Sequence, residues 1–122
     1  MLQGRIIAES LRVGCDLQIR DLRISRIDRQ AVSAAAGHQP DVWTLLDVAG
    51  PDDVAEELAS ALADALVEGQ GWYADFRVAG DHVVIFPGRI FRYAIGDDAA
   101  RAEAVNFGRR SGVPPHQLDW GD

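Results

Sequence analysis

The chain has no lysine, a single cysteine and no long apolar run, and each shortage excludes a class of protein. Because Cys15 is the only cysteine, the chain cannot form an internal disulfide, which fits a reducing compartment. The longest apolar run, Val83–Phe86, has four residues, far fewer than the roughly 20 needed to span a bilayer. The N-terminus lacks the pattern of a signal peptide. We therefore expect a cytoplasmic protein that does not associate with a membrane.

Positive charge is also scarce, and its distribution argues against nucleic acid as a partner. The net charge is −7, and all twelve basic residues are arginines. Residues 41–70 contain eight acidic residues and no basic residue. A general nucleic-acid binder needs a basic face that displaces counterions from phosphates. We therefore expect no binding of nucleic acid, although the sequence leaves open a local basic face near the N-terminus.

The most informative stretch runs from Gly71 to Ile95 and predicts three antiparallel strands. Residues 72–78 alternate apolar and polar side chains, which is typical of a strand with one buried face. Residues 83–86 and 90–95 read as two further strands. Gly80-Asp81 suits a hairpin loop, and Pro87-Gly88 suits a turn that needs a positive φ at glycine.

Two helices are predicted, one before this meander in the sequence and one after it. Pro51-Asp52-Asp53 is a strong helix start, and an apolar stripe then continues to Leu66. Asp97-Asp98 starts a second helix that reaches about Ser111, with Ala104 and Phe107 facing inward and Gly108 in close contact with the sheet. Leu118 and Trp120, beyond this helix, are expected to dock on the protein.

The first forty residues are harder to assign. Residues 4–13 favour a short helix, with a strand as the alternative. Residues 21–29 and 41–48 read as strands, and residues 31–40 have the composition of a mobile loop. One domain over residues 1–122 accommodates all elements. The predicted fold class is α+β, with a mostly antiparallel sheet of about five strands and two helices packed on one face.

The sequence offers little catalytic chemistry. No serine lies in a Gly-x-Ser-x-Gly setting, and sequence alone cannot bring Cys15 next to His38, His82 or His116. Asp81-His82 and Asp97-Asp98 lack the spacing of metal ligands, so we expect no metal and no cofactor. Both helices start with aspartates, which repel phosphate. The sequence therefore does not decide whether the protein is an enzyme, and it favours a protein without enzyme activity.

The last third of the chain resembles small uncharacterised actinobacterial proteins. The resemblance is carried by residues 71–76 (Gly-Trp-Tyr-Ala-Asp-Phe), Phe91-Arg92-Tyr93, Gly96-Asp97, Arg101, Gly108-Arg109, Gly112-Val113-Pro114 and Gln117-Leu118-Asp119-Trp120. It implies a bacterial, cytosolic protein and assigns no activity to any residue.

Three functional hypotheses follow from the residues. The leading one is a non-enzymatic interaction or regulatory protein that associates with itself as a homodimer or with another protein. The surface predicted for such a partner comprises Asp53, Glu56, Glu57, Asp64, Tyr73, Arg77 and Trp120.

The alternatives use other residues. A small-ligand-binding protein or enzyme would have a pocket between sheet and helices, with His82, Arg89, Arg92 and Tyr93 as its polar groups. An acidic mimic of DNA would use the helix that begins at Asp53. A concave pocket of several hundred Å3 with converging polar groups would favour the ligand-binding alternative.

Overall fold

The computed structural model describes residues 1–32 and 39–120 of the chain. Within these residues it contains six strands and two α-helices: β1 (Leu2–Ile7), β2 (Arg23–Ala31), β3 (Val42–Gly50), α1 (Ala55–Ala65), β4 (Ala74–Val78), β5 (Asp81–Phe86), β6 (Arg89–Ala94) and α2 (Asp98–Arg110). Three short 3-10 turns lie at Ala8–Ser10, Asp52–Val54 and Pro115–Gln117.

The strands form one antiparallel sheet in the order β2-β3-β1-β4-β5-β6. The predicted α+β class is confirmed, with six strands rather than five. The extra strand is β1, so the helix favoured for residues 4–13 is wrong. The reason is position: β1 lies between β3 and β4, where Leu2 and Ile6 are buried on one face while Arg5 points to the other. Successive side chains of a strand point to opposite faces, so a strand, unlike a helix, places Leu2 and Ile6 on one face and Arg5 on the other.

Strand β5 is buried on both faces, and this places the two helices on opposite faces of the sheet. Val83 and Ile85 belong to the core cluster that contains the inward side of α1. Val84 and Phe86 point the other way and belong to the cluster that contains Ala104 of α2. The prediction that both helices pack on one face is therefore wrong. A strand with apolar side chains on both faces is stable only when each face is covered by other elements.

We call the two surfaces the α1 face and the α2 face. The α1 face carries Leu2, Ile6, Val48, Phe76, Val83 and Ile85. The α2 face carries Arg5, Asp47, Asp75, His82, Val84 and Phe86.

The meander of β4, β5 and β6 is confirmed together with its turns. The first hairpin turns at Ala79-Gly80, one residue earlier than predicted, because Asp81 already pairs with Val78 and with Ala94. Gly88 has a φ of +72°, as the predicted turn requires. No helix in the described part of the chain is long and apolar enough to cross a membrane.

Both predicted helices are present with shorter bounds. The first begins with the 3-10 turn Asp52–Val54 and continues as α1. In the second, the Asp97 carboxylate accepts a hydrogen bond from the Ala100 amide at 3.1 Å and caps α2. Leu118 and Trp120 are buried against the α2 side of the core, as expected. Of the predicted loop, residues 33–38 lie outside the described residues.

Gly4, in the centre of the sheet, provides a test of the unexpected strand. A Cβ atom at Gly4 would lie 2.7 Å from the Asp75 carbonyl oxygen and closer still to the Phe76 side chain. We expect Gly4→Ala to lower the free energy of unfolding by about 1–3 kcal/mol or more, as overpacking of a core does. The neighbouring Gln3→Ala, at an exposed position, is the matched control. Equal urea midpoints for the two variants would contradict the position of β1.

Candidate functional site

A cavity of about 790 Å3 lies on the α2 face, over β1, β3 and β4. Helix α2 covers the neighbouring part of this face, where a Cβ atom at Gly108 would lie 2.9 Å from the Phe86 ring. The C-terminal segment borders the cavity through His116, Gln117, Asp119 and Trp120. The cavity therefore lies beside α2, between the sheet and the end of the described chain.

The floor of the cavity carries a row of alternating charges. Asp47 of β3 and Asp75 of β4 are both Cα partners of Arg5 on the central strand β1. Direct partners in an antiparallel sheet point to the same face, so the three side chains share the cavity floor. Arg26 of β2 pairs with Asp47 and extends the row. We call Asp47, Arg5 and Asp75 the charge row.

Arg5 and Asp47 form a two-point contact. The Nε atom of Arg5 donates to Oδ1 of Asp47 at 2.7 Å, and a second guanidinium nitrogen lies 3.4 Å from Oδ2. The hydrogen bond from Arg5 holds the pKa of Asp47 below its ordinary value, although desolvation acts in the opposite direction. The same hydrogen bond raises the pKa of Arg5. Both groups therefore stay charged at neutral pH.

Asp75 is held from the inner side by a histidine. The Nε2 atom of His82 lies 2.7 Å from Oδ2 of Asp75, and His82 is fully buried. The His82 ring packs against Tyr93 and Trp120, and the Trp120 indole donates to the Tyr93 hydroxyl at 2.8 Å. Asp75 lines the cavity and His82 does not, so the histidine orients the carboxylate that the cavity presents.

The walls of the cavity are aromatic. All three tryptophans of the chain, Trp43, Trp72 and Trp120, line the cavity together with Tyr73. Trp43 contacts Trp72 edge-on at 5.2 Å between ring centroids, and Tyr73 contacts Trp120 in the same way at 5.3 Å. Burial raises the pKa of Tyr73, with a contribution from Asp75. Its hydroxyl therefore remains protonated and donates to the Gln117 carbonyl.

One of these tryptophans has an unused hydrogen-bond donor. The Trp72 side chain is buried, and its Nε1–H group has no hydrogen-bond partner among the described residues. Leaving a buried donor unpaired costs about 1–3 kcal/mol. The tryptophan wall therefore has hydrogen-bonding capacity that the described residues leave unused.

The four residues predicted to bind a small ligand do not converge. His82 and Tyr93 are neighbours in the buried part of the α2 face. Arg89 stacks on the Phe91 ring at 4.6 Å, while Arg92 points to the α1 face and pairs with Asp81 at 2.8 Å. None of the four lines the cavity.

The residues predicted to contact a partner divide into two groups. Tyr73, Arg77 and Trp120 all line the cavity, so the structure brings them together. The acidic group Asp53, Glu56, Glu57 and Asp64 lies elsewhere, in or just before α1 and exposed. A guanidinium nitrogen of Arg20 lies 3.5 Å from the Asp53 carboxylate, so arginine from the N-terminal third borders this acidic group.

Sequence reasoning missed Arg5 and Asp47. Arg5 was not identified as a sheet residue because the sequence favours a helix for residues 4–13. Asp47 carried a usable signal, since it is the one charged residue within the otherwise apolar or neutral run 42–50. A lone carboxylate on a central strand needs a partner, but only the sheet register identifies that partner as Arg5.

The sequence also raised a pairing of Cys15 with a histidine, and a metal site, as candidate chemistry. Cys15 is partly buried and precedes β2, while His38 lies outside the described residues. Within residues 1–32 and 39–120, no three His, Cys, Asp or Glu side chains are grouped as ligands of a metal ion.

Comparison with protein-family models finds no match for the chain. No curated protein and no solved structure matches it either. The resemblance of residues 71–120 to actinobacterial proteins therefore remains a prediction, and the geometry of the cavity is the remaining guide to function.

The contact between Arg5 and Asp47 predicts a pH dependence of stability. Because the pKa of Asp47 is lower in the folded protein, the contact stabilises the fold above the ordinary carboxyl pKa of 3.8 and is lost as the pH falls through the lower folded value. We expect Asp47→Asn to reduce the loss of stability below about pH 4. Urea midpoints measured from pH 2 to pH 7 provide the check.

Asp41→Asn, at an exposed position just before β3, is the matched control for this measurement. If Arg5 did not hold Asp47 ionised, the urea midpoints of Asp47→Asn and Asp41→Asn would fall equally as the pH is lowered.

Proposed function

We propose that the protein binds a small, neutral, polar molecule in the cavity on the α2 face. The observation that carries this proposal is the charge row on the floor of a cavity of about 790 Å3. Sites for small molecules have volumes of roughly 300–1,000 Å3, with few polar groups placed among aromatic walls. This arrangement supports ligand binding over the leading hypothesis from the sequence, in which the open face of the sheet serves a protein partner.

The balance of charge favours a neutral ligand. The cavity is lined by two arginines, Arg5 and Arg77, and by three aspartates, Asp47, Asp75 and Asp119. Arg5 is already paired with Asp47, so the part of the lining that the structure describes has no excess of positive charge that would attract phosphate or a carboxylate. Guanidinium groups donate hydrogen bonds and carboxylates accept them. A molecule with both donors and acceptors, such as a sugar or a nucleoside, matches this floor.

The walls favour a ligand with a ring. Tryptophan and tyrosine provide large apolar surfaces with a polar end, and Trp43 is only partly buried. The ring would lie against the tryptophans while its polar substituents meet the charge row.

Two further proposals are independent of the cavity. The lone cysteine and the absence of a long apolar run support a cytoplasmic location. The acidic group of α1 keeps open the proposal of DNA mimicry, in which neutralising Asp53, Glu56, Glu57 and Asp64 together would abolish binding to a basic partner.

Ligand binding is testable with the tryptophans as reporters. We expect N-acetylglucosamine or uridine to change tryptophan emission with saturation, since all three tryptophans line the cavity. A ligand at a hundred times its dissociation constant stabilises a protein by about 2.7 kcal/mol, so a thermal shift of several degrees should accompany the change. Inorganic phosphate should produce neither effect.

Asp47→Asn and Asp75→Asn, which keep the shape of the side chains, should each weaken binding at least about tenfold, since a hydrogen bond to a charged group contributes roughly 1.5–3 kcal/mol. Arg110→Met, on the exposed end of α2, should bind as the wild type does. Equal affinity in all three variants, or binding of phosphate in preference to both neutral probes, would contradict the proposal.

A further inference from the structure

Strand β2 is a long edge strand that pairs on one side with β3. It extends over nine residues, and its Ile24 and Ile27 side chains are 56% and 65% exposed. An edge strand presents unpaired backbone N–H and C=O groups, and natural proteins usually shorten or cover such edges. β2 is longer than the average strand of about five to six residues, so its edge is suited to pairing.

The register with β3 fixes which way its side chains point. Arg26 and Asp28 pair with Asp47 and Leu45 and lie on the α2 face. Ile27 lies between them on the α1 face, opposite Leu46. A bulge follows Ile24, so the regular part of β2 begins at Arg26.

We propose that a second copy of this chain pairs antiparallel along β2, with the two-fold axis at Ile27. In this register each Ile27 lies opposite its own copy, and each Arg26 lies opposite Asp28 of the other copy. The dimer therefore has two ion pairs across the interface on the α2 face, which replace the 3.5 Å contact between Arg26 and Asp28 within each copy. It also gains one apolar contact between exposed isoleucines on the α1 face. Cross-strand pairs of both kinds stabilise a sheet, and the interface is isologous, as a two-fold dimer requires.

The charge pattern of β2 selects this register over its neighbours. A two-fold axis at Arg26, Asp28 or Arg29 would place that residue opposite the same charge on the second copy, which is unfavourable. An axis at Gln30 avoids like charges but shortens the pairing and gives no ion pair. In the regular part of β2, only a two-fold axis at Ile27 places Arg26 of one copy opposite Asp28 of the other.

The other edge of the sheet lacks this complementarity. Strand β6 has six residues, with two arginines and no acidic residue. Pairing of β6 with its own copy therefore gains no ion pair. The charge pattern assigns the second copy to β2.

The proposed dimer has a consequence for the cavities. A two-fold axis perpendicular to the sheet leaves each face on its own side, so both cavities open on the same side of one continuous sheet. Gln30 of β2 lines the cavity, which places the interface next to it. Dimer formation through β2 does not require a ligand in the cavity.

Cysteine cross-linking tests the register. In a Cys15→Ser background, we expect Ile27→Cys to form a disulfide-linked dimer on mild oxidation, because directly opposed residues have Cα atoms about 4.5–5.5 Å apart. Arg29→Cys, two residues along the same face, is the matched control. Its two copies would lie roughly 13 Å apart along the strands, beyond the roughly 7 Å limit for a disulfide.

Sedimentation of the full chain tests the association itself. We expect a dimer at concentrations on the order of 100 μM, where a complex with a micromolar dissociation constant is almost fully formed. Arg26→Asp and Asp28→Arg should each shift the chain toward monomer, and the double variant should restore the dimer. A wild-type monomer at this concentration would overturn the proposal, and so would faster cross-linking of Arg29→Cys than of Ile27→Cys.

Discussion

Strand β5 is buried on both faces from His82 to Phe86, and the arrangement of the molecule depends on this constraint. Val83 and Ile85 require cover on one face of the sheet, and Val84 and Phe86 require it on the other. Helix α1 covers the first face and helix α2 covers the second. Because α2 and the C-terminal segment pack around β5 and β6, the cavity is formed beside them, over β1, β3 and β4. The same burial that stabilises the core thus positions the candidate site.

The site combines charges that come from three strands distant in sequence. Arg5 lies on the central strand, and its cross-strand partners on either side are aspartates. Asp47 is held by Arg5 at 2.7 Å and Asp75 by the buried His82 at the same distance. Each carboxylate is therefore fixed before any ligand binds. Such preorganisation reduces the entropy lost on binding, and it is the physical basis for placing the ligand there.

The sequence predicted the parts of this structure that local patterns determine. Alternation and turn residues located β4, β5 and β6, and Asp97-Asp98 located the start of α2. It could not predict which face each helix covers, because the apolar run 83–86 gives no preferred side. It also could not place Arg5 beside Asp47, since 42 residues separate them and the pairing depends on register. His82 and Tyr93 are polar groups of the predicted pocket, yet both are buried in the core and neither lines the cavity.

The central claim is that the charge row and the tryptophan walls form a ligand site. It is tested most directly by following amide and indole nitrogen shifts in NMR spectra during titration with N-acetylglucosamine or uridine, whichever stabilises the fold. The account predicts that the largest changes occur at Arg5, Asp47 and Asp75 and at the tryptophan indoles. Changes confined to the α1 face or to β6, with the charge row unaffected, would contradict it.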